Sequence, residues 1–150
     1  MPAKHKSKIS QYNLGRKELE AFLGPLEANI IGVVWNSDKK PLRVRDVYEK
    51  LKQKKDIAYT TVMSTMDRLY EKGLLDRRIE KGKGGLFYVY WPKLEEQSFK
   101  KSAVREVISS LIQNFGEIVT SYLIEEASSD EQELKALKEQ VDSIMKEKQK

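Results

Sequence analysis

AYTTVMSTMDRLYEKGLL, residues 58 to 75, has the periodicity of an amphipathic helix and an unusual polar face. At about 100° per residue on a helix, Val62, Met66 and Leu69 fall on one arc, the pattern of a core-facing amphipathic helix. The opposite arc carries short hydroxyl groups and cations: Thr60, Thr61, Ser64, Thr65, Arg68 and Lys72. Most surface helices place long Glu and Lys side chains there. The pattern predicts a helix over residues 59–72 that ends at Gly73, with an unusually short polar face.

Two further helices are predicted upstream. In PLEANIIGVVWN, residues 25–36, Pro25 stands where a first helical residue is favoured, and apolar residues follow at spacings of three and four. PLRVRDVYEKLKQKK, residues 41–55, carries the stripe of a second amphipathic helix. Residues 16–23 add a short helical lead-in. Three short helices, the last two joined by a tight connection, indicate a helix-turn-helix.

A β-hairpin is predicted in LLDRRIEKGKGGLFYVYWP, residues 74–92. Aromatic and aliphatic residues indicate two antiparallel strands, about 75–80 and 86–91, joined by a flexible KGKGG centre. Pro92 ends the second strand. Three helices followed by a hairpin is the order of a winged helix. The sequence therefore predicts a mainly α fold with a small β wing.

From residue 93 the sequence predicts two amphipathic helices, separated by the capping-rich segment ASSD at 127–130. Their apolar residues recur at spacings of three and four, as in a seam between helices. The seam residues are Val104, Ile108, Leu111, Phe115, Ile118, Val119, Tyr122, Leu134, Leu137, Val141 and Ile144. An intramolecular helical hairpin is one way to bury them. The breadth and length of the first helix's seam favour a homodimer instead.

Charge and composition bound the function. The chain has 150 residues and a net charge of +5, but residues 1–92 carry +8 and residues 93–150 carry −3. A basic front end favours a polyanionic partner. There is no cysteine, the one histidine is His5, and no apolar run approaches the length of a membrane span. We therefore expect a soluble cytoplasmic protein with no cofactor, metal or membrane partner, and no enzymatic activity.

The short polar face suits a helix that lies in the DNA major groove. Thr and Ser approach base edges closely and carry a donor and an acceptor, while Arg68 can grip phosphate or guanine. The predicted contacts to double-stranded DNA lie on recognition helix 59–72 and wing 77–87: Thr60, Thr61, Ser64, Thr65, Arg68, Lys72, Arg77, Arg78, Lys81 and Lys83. The predicted organisation is a basic tail (1–13), a winged-helix DNA-binding domain (14–92) and a helical dimerisation region (93–150).

Other interpretations stay open at this point. A Thr/Ser face is also compatible with an ordinary solvated surface. A winged helix can serve as a protein-interaction module that reads no DNA, in which case DNA binding would be absent even at low salt. A small-molecule-responsive regulator of the multidrug-resistance type would need a pocket between the C-terminal helices and the winged domain.

The chain resembles the penicillinase-repressor family of winged-helix regulators. The resemblance rests on LGPLEANIIGVVW (23–35), IAYTTVMSTMDRLYEKGLLDRR (57–78) and FYVYWP (87–92). It implies a homodimer that binds a palindromic operator, blocks transcription and dimerises through its C-terminal helices. The DNA contacts that it implies fall on Thr60, Thr61, Ser64 and Arg68.

Two departures from the family pattern concern regulation. Copper-responsive members end in a cysteine cluster, which this chain lacks. The resemblance to β-lactam-responsive members implies cleavage at an Asn–Phe bond, but their position falls near Leu123–Ile124, where this chain has no such pair. Asn114–Phe115 lies in the middle of the predicted long helix, and we interpret it as ordinary helix sequence. The agent of release, an unknown effector or a protease, stays open.

Overall fold

The computed structural model describes residue 9, residues 11–126 and residues 131–148. The described elements, in chain order, are a 3-10 helix (Glu18–Ala21), α1 (Pro25–Asn36), β1 (Leu42–Arg43), α2 (Val44–Lys52), α3 (Tyr59–Glu71), β2 (Leu75–Gly82), β3 (Gly85–Pro92), α4 (Glu96–Glu126) and α5 (Glu131–Lys148). A mainly α fold with a small β wing, followed by two C-terminal helices, is confirmed. The predicted domain boundaries, after residues 13 and 92, stay predictions.

The helical core forms where the sequence concentrates apolar residues. α1 begins with Pro25 at its first turn, and the Glu27 carboxylate turns back to accept the Gly24 N–H at 3.1 Å. Ile30, Ile31 and Val34 of α1 are fully buried, as are Val62, Met66 and Leu69 of α3. The arc that the sequence assigned to the core is therefore the buried face of α3. Burial on this scale is the main source of helix stability in a domain of this size.

The wing is more regular than predicted. β2 and β3 pair along their whole length, from Leu75 opposite Pro92 to Gly82 opposite Gly85. The strands thus extend into the KGKGG segment, which was expected to be a flexible loop, and only a two-residue turn separates them. Gly85 has a φ of 108°, a value that glycine reaches without a steric penalty. The sheet has a third strand that the sequence did not predict, the two-residue β1, which pairs with Tyr90 and Val89 of β3.

The chain forms two compact units, one ending at Ala103 and the other beginning at Val104. The first turns of α4 belong to the first unit. There Phe99 is fully buried, edge-on to Phe22 with ring centroids 6.3 Å apart and 6.0 Å from the ring of Trp35. The indole N–H of Trp35 donates to the Leu94 carbonyl at 2.9 Å. An aromatic cluster therefore fixes the start of α4.

In the second unit α4 is not a continuous helix. Phe115 has φ −140° and ψ 34°, so the helical geometry breaks at this residue. The interpretation of Asn114–Phe115 as ordinary helix sequence was therefore wrong. The next residue is Gly116, and glycine has the lowest helix propensity after proline, which makes an interruption inexpensive here. The predicted interhelical break at 127–130 lies outside the described residues. In the part of the chain that the structure describes, no helix combines the length and apolarity needed to cross a membrane.

Candidate nucleic-acid interface

The outer face of α3 presents Thr60, Thr61, Ser64 and Arg68 to solvent. The Ser64 hydroxyl donates to the Thr61 carbonyl at 3.1 Å, one turn back along the helix. A hydroxyl whose proton is held by the backbone presents its acceptor lone pairs outward. The face therefore combines short acceptors with one long cation.

Thr65 does not belong to this exposed face. It is 2% exposed, and its Oγ1 donates to the Thr61 carbonyl at 2.8 Å. The prediction that Thr65 reaches DNA is therefore wrong for this structure. Its position on the wheel lies only about 60° from Val62, because residues three apart are near neighbours around a helix. The neighbouring elements cover this margin of α3.

Lys72 forms an intramolecular ion pair instead of pointing to solvent. Its Nζ lies 2.8 Å from Oε2 of Glu27, whose side chain is almost fully buried, and it donates to Oε1 at 3.0 Å. The same Oε1 accepts the Gly24 N–H. The predicted DNA-contacting Lys72 is thus a structural cation that ties the end of α3 to the start of α1.

Lys72→Met is expected to lower the free energy of unfolding by about 3 kcal/mol, because it leaves the buried Glu27 carboxylate without its cation. Urea denaturation followed by circular dichroism measures the change. Lys50→Met, at an exposed position of α2, removes the same charge and is expected to change stability by less than about 0.5 kcal/mol. Equal stabilities of the two variants would contradict the structural role of the ion pair.

Arg77, the first predicted wing cation, is enclosed between aromatic rings. Its guanidinium carbon lies 3.9 Å from the ring centroid of Tyr70 in α3 and 4.1 Å from that of Tyr88 in β3. Its Nη1 donates to Oδ1 of Asp67, also in α3. With its side chain only 19% exposed, Arg77 does not reach outward to DNA, so that prediction is corrected. We call Arg77, Asp67, Tyr70 and Tyr88 the Arg77 clamp.

The electrostatics of the Arg77 clamp agree with its geometry. Burial by itself would lower the pKa of Arg77, but hydrogen bonds to Asp67 and to the Tyr90 hydroxyl raise it above its ordinary value. Burial raises the pKa of Tyr90, and the bond to Arg77 opposes that change. Arg77 therefore stays protonated at every physiological pH, so its contacts with Asp67 and the two tyrosine rings do not depend on pH through the guanidinium.

The remaining wing cations stay accessible. The Arg78 side chain is exposed, donates to Oε1 of Glu80 at 2.8 and 3.1 Å, and lies 5.5 Å from the ring of Trp91. Lys81 and Lys83 are exposed at the tip of the hairpin. Their exposure keeps both lysines as predicted phosphate contacts.

Two features of this surface were missed from the sequence. Ile79, Leu86 and Tyr88 form an exposed apolar strip on the wing, on the same strand face as Arg77. A shallow cavity of about 450 Å³ lies at the turn between α2 and α3, lined by Tyr48, Lys52, Lys54, Lys55, Asp56 and Ile57. Lys54 and Lys55, separated from the recognition helix by three residues, were the sequence signal for this cavity, since cations beside a groove-binding helix can meet phosphates.

The predicted dimer seam is largely exposed in the single chain. Its exposed members are Val104, Ile108, Leu111, Phe115, Ile118 and Tyr122, while Val119 and Leu137 are half-buried. Val141 differs because the single chain already buries it, to 8% exposure. The side chains of Leu134 and Ile144 lie outside the described set. A row of exposed large apolar residues along one helix is typical of an interaction surface.

Two relatives of this chain are named as regulators. Transcriptional regulator BlaI of Mycobacterium tuberculosis (strain CDC 1551 / Oshkosh) is 43% identical over 53 residues, 35% of this chain and 38% of BlaI, so the match spans well under half of that relative. Methicillin resistance regulatory protein MecI of Staphylococcus aureus (strain N315) is 26% identical over 107 residues, 71% of this chain and 82% of MecI. A PadR family transcription regulator from Clostridium difficile, solved by crystallography, gives a TM-score of 0.42 at 16% identity, over 61% of this chain and 98% of that chain.

A protein-family comparison covers more of the chain than either relative. The matching family model is described as penicillinase repressor, and the match runs over residues 23–143. It takes in the three core helices, the wing and most of the two C-terminal helices. This chain therefore belongs to the penicillinase repressor family.

Proposed function

We propose that the protein is a DNA-binding transcriptional repressor that acts as a homodimer on a palindromic operator. The observation that carries the proposal is the exposed face of α3, where Thr60, Thr61, Ser64 and Arg68 stand together beside a basic wing. Family membership and the names of the relatives BlaI and MecI, both regulators, support the same function.

The chemistry of α3 suits base reading. Outward acceptor lone pairs on Ser64 can receive the amino group of cytosine or adenine, and threonine methyl groups can pack on the thymine methyl. Arg68 is the one long donor on this face, and guanine offers two acceptors that a guanidinium can meet at once. Short side chains let the helix backbone come close enough for these contacts to form.

The wing and the α2–α3 turn supply affinity. Lys81 and Lys83 at the hairpin tip would follow the phosphates, and Lys54 and Lys55 would meet the backbone on the other side of the recognition helix. Each neutralised phosphate releases counterions, so binding should weaken steeply with salt. With roughly 6–10 phosphate contacts, an increase from about 50 to 200 mM salt would lower the affinity about 10³- to 10⁵-fold.

A two-fold symmetric dimer would require a palindromic operator. The exposed seam of α4 is the surface available for a second copy, because closed two-fold pairing covers identical apolar patches with each other. Two recognition helices related by a two-fold axis read two inverted half-sites. Occupation of the operator would block transcription, and an effector or a protease would release it.

The test is fluorescence anisotropy with a duplex from upstream of the protein's own gene. Arg68→Ala is expected to weaken binding by about 1–3 kcal/mol, roughly 5- to 150-fold, and Ser64→Ala by less. Circular dichroism establishes that both variants fold.

Arg105→Ala is the matched control, because it removes an exposed arginine from α4, outside the proposed interface. It is expected to bind as wild type does. Unchanged affinity of both α3 variants, or an equal loss in the Arg105 control, would contradict the assignment of α3 as the recognition helix.

A further inference from the structure

We propose that Arg77 is a positioning residue that locks the wing to the recognition helix, so that the two engage DNA as one surface. The inference rests on the proposed function. It differs from the sequence-based assignment of Arg77 as a DNA contact, because the side chain acts through Tyr70, Tyr88 and Asp67 rather than on phosphate.

One side chain joins three elements at this point. Arg77 lies on β2, and its guanidinium lies over the ring of Tyr88 in β3. The same guanidinium lies over the ring of Tyr70 and donates a hydrogen bond to Asp67, both in α3. A guanidinium suits this task because it is planar, can lie against aromatic rings and still donates in its own plane. A lysine ammonium cannot make both kinds of contact in this arrangement.

The clamp lies where the wing would otherwise be free to move. Arg77 is opposite Tyr90 in the sheet, and Tyr90 is opposite Leu42 of β1, so the sheet has three strands at this level. From Ile79 to the hairpin tip only β2 and β3 remain. An isolated two-stranded ribbon is marginally stable in water, and its direction is set at its base. The Arg77 clamp is a contact at that base that includes the recognition helix.

The clamp has a second consequence for DNA binding. Asp67 lies at the margin of the recognition face, where a free carboxylate would repel phosphate. The bond from Arg77 neutralises this charge and holds it against the wing. Loss of Arg77 would therefore loosen the wing and expose an acidic group beside the DNA-contacting face.

A double-mutant comparison by salt-dependent anisotropy tests the inference. Lys81→Ala/Lys83→Ala is expected to reduce the salt slope of binding by about 1.8, from the loss of two phosphate contacts. Arg77→Met is expected to reduce it by a similar amount, although Arg77 touches no phosphate. The triple variant should lose no more than either alone. If Arg77 only stabilised the fold, the folded Arg77→Met protein would bind DNA with the same salt slope as wild type.

Arg78→Met is the matched control, since Arg78 is the next residue and lies on the opposite strand face, against Glu80 and Trp91. In a protein that carries Arg78→Met, Lys81→Ala/Lys83→Ala should still reduce the salt slope of DNA binding by the full amount. Additive effects in the Arg77→Met background would overturn the inference. Should Arg77→Met fail to fold, Arg77→Lys replaces it, with the same expected loss of coupling.

Hydrogen exchange on the free protein gives a readout independent of DNA. Arg77→Met is expected to speed exchange of the amides in residues 79–88, and Arg78→Met is not. Unchanged exchange would overturn the inference while leaving the proposed function intact. A wild-type protein that binds no duplex even at low salt would instead refute the proposed function, and the DNA-binding role of Arg77 with it.

Discussion

Replacement of both Leu111 and Ile118 by glutamate is expected to convert the protein to a monomer and to lower its operator affinity about 10²- to 10⁴-fold. These side chains are 46% and 69% exposed in the single chain, so in a dimer each would place a carboxylate in an apolar seam. The monomer would lose the avidity that comes from two half-sites read by one molecule. Sedimentation equilibrium measures the oligomeric state, and anisotropy measures the affinity.

The control is the pair Gln113→Glu and Thr120→Glu, which adds the same charges at the same seven-residue spacing, two positions further along α4. It is expected to leave the dimer and the affinity intact. A protein that stays dimeric after the Leu111 and Ile118 changes would place the dimer contact elsewhere. Equal disruption by both pairs would mean that added charge, rather than loss of the seam, separates the subunits.

Phe99→Ala is expected to cost about 3–5 kcal/mol of unfolding free energy, a large fraction of the stability of a small domain. The ring is fully buried and packs against Phe22 and Trp35, so its removal leaves a cavity beneath the first turns of α4. Tryptophan fluorescence, to which Trp35 of this cluster and Trp91 both contribute, follows urea unfolding.

Two control variants provide a scale for the stability loss of Phe99→Ala. Phe99→Leu retains much of the volume and is expected to cost less, near 1.5 kcal/mol. Leu14→Ala truncates a side chain that is 90% exposed and should change stability by less than about 0.5 kcal/mol. If Phe99→Ala cost no more than Leu14→Ala, the aromatic cluster would not be what fixes the start of α4.

The sequence predicted the fold well because the core helices and the wing follow local patterns. The apolar arc of Val62, Met66 and Leu69 is a property of one helix, and so is its burial. The two-residue strand β1 was not predicted, because it exists only through its pairing with β3, more than 40 residues away. The break at Phe115 escaped because the seam spacing continues through it.

The candidate interface was predicted in part, for a similar reason. A helical wheel gives the angle of a residue but not its partners. It placed Lys72 and Arg77 among the DNA contacts because both are cations near the recognition face. Lys72 is engaged by Glu27, which is 45 residues away in the chain, and Arg77 by rings from α3 and β3. Only the tertiary structure brings these partners together.

Selection from a library of random DNA duplexes tests directly whether α3 reads a base sequence. We expect enrichment of one motif with two inverted half-sites about one helical turn apart, and loss of that enrichment with Arg68→Ala. Retention of duplexes without any enriched sequence would contradict a base-reading role for α3. Failure to retain any duplex at low salt would contradict DNA binding itself.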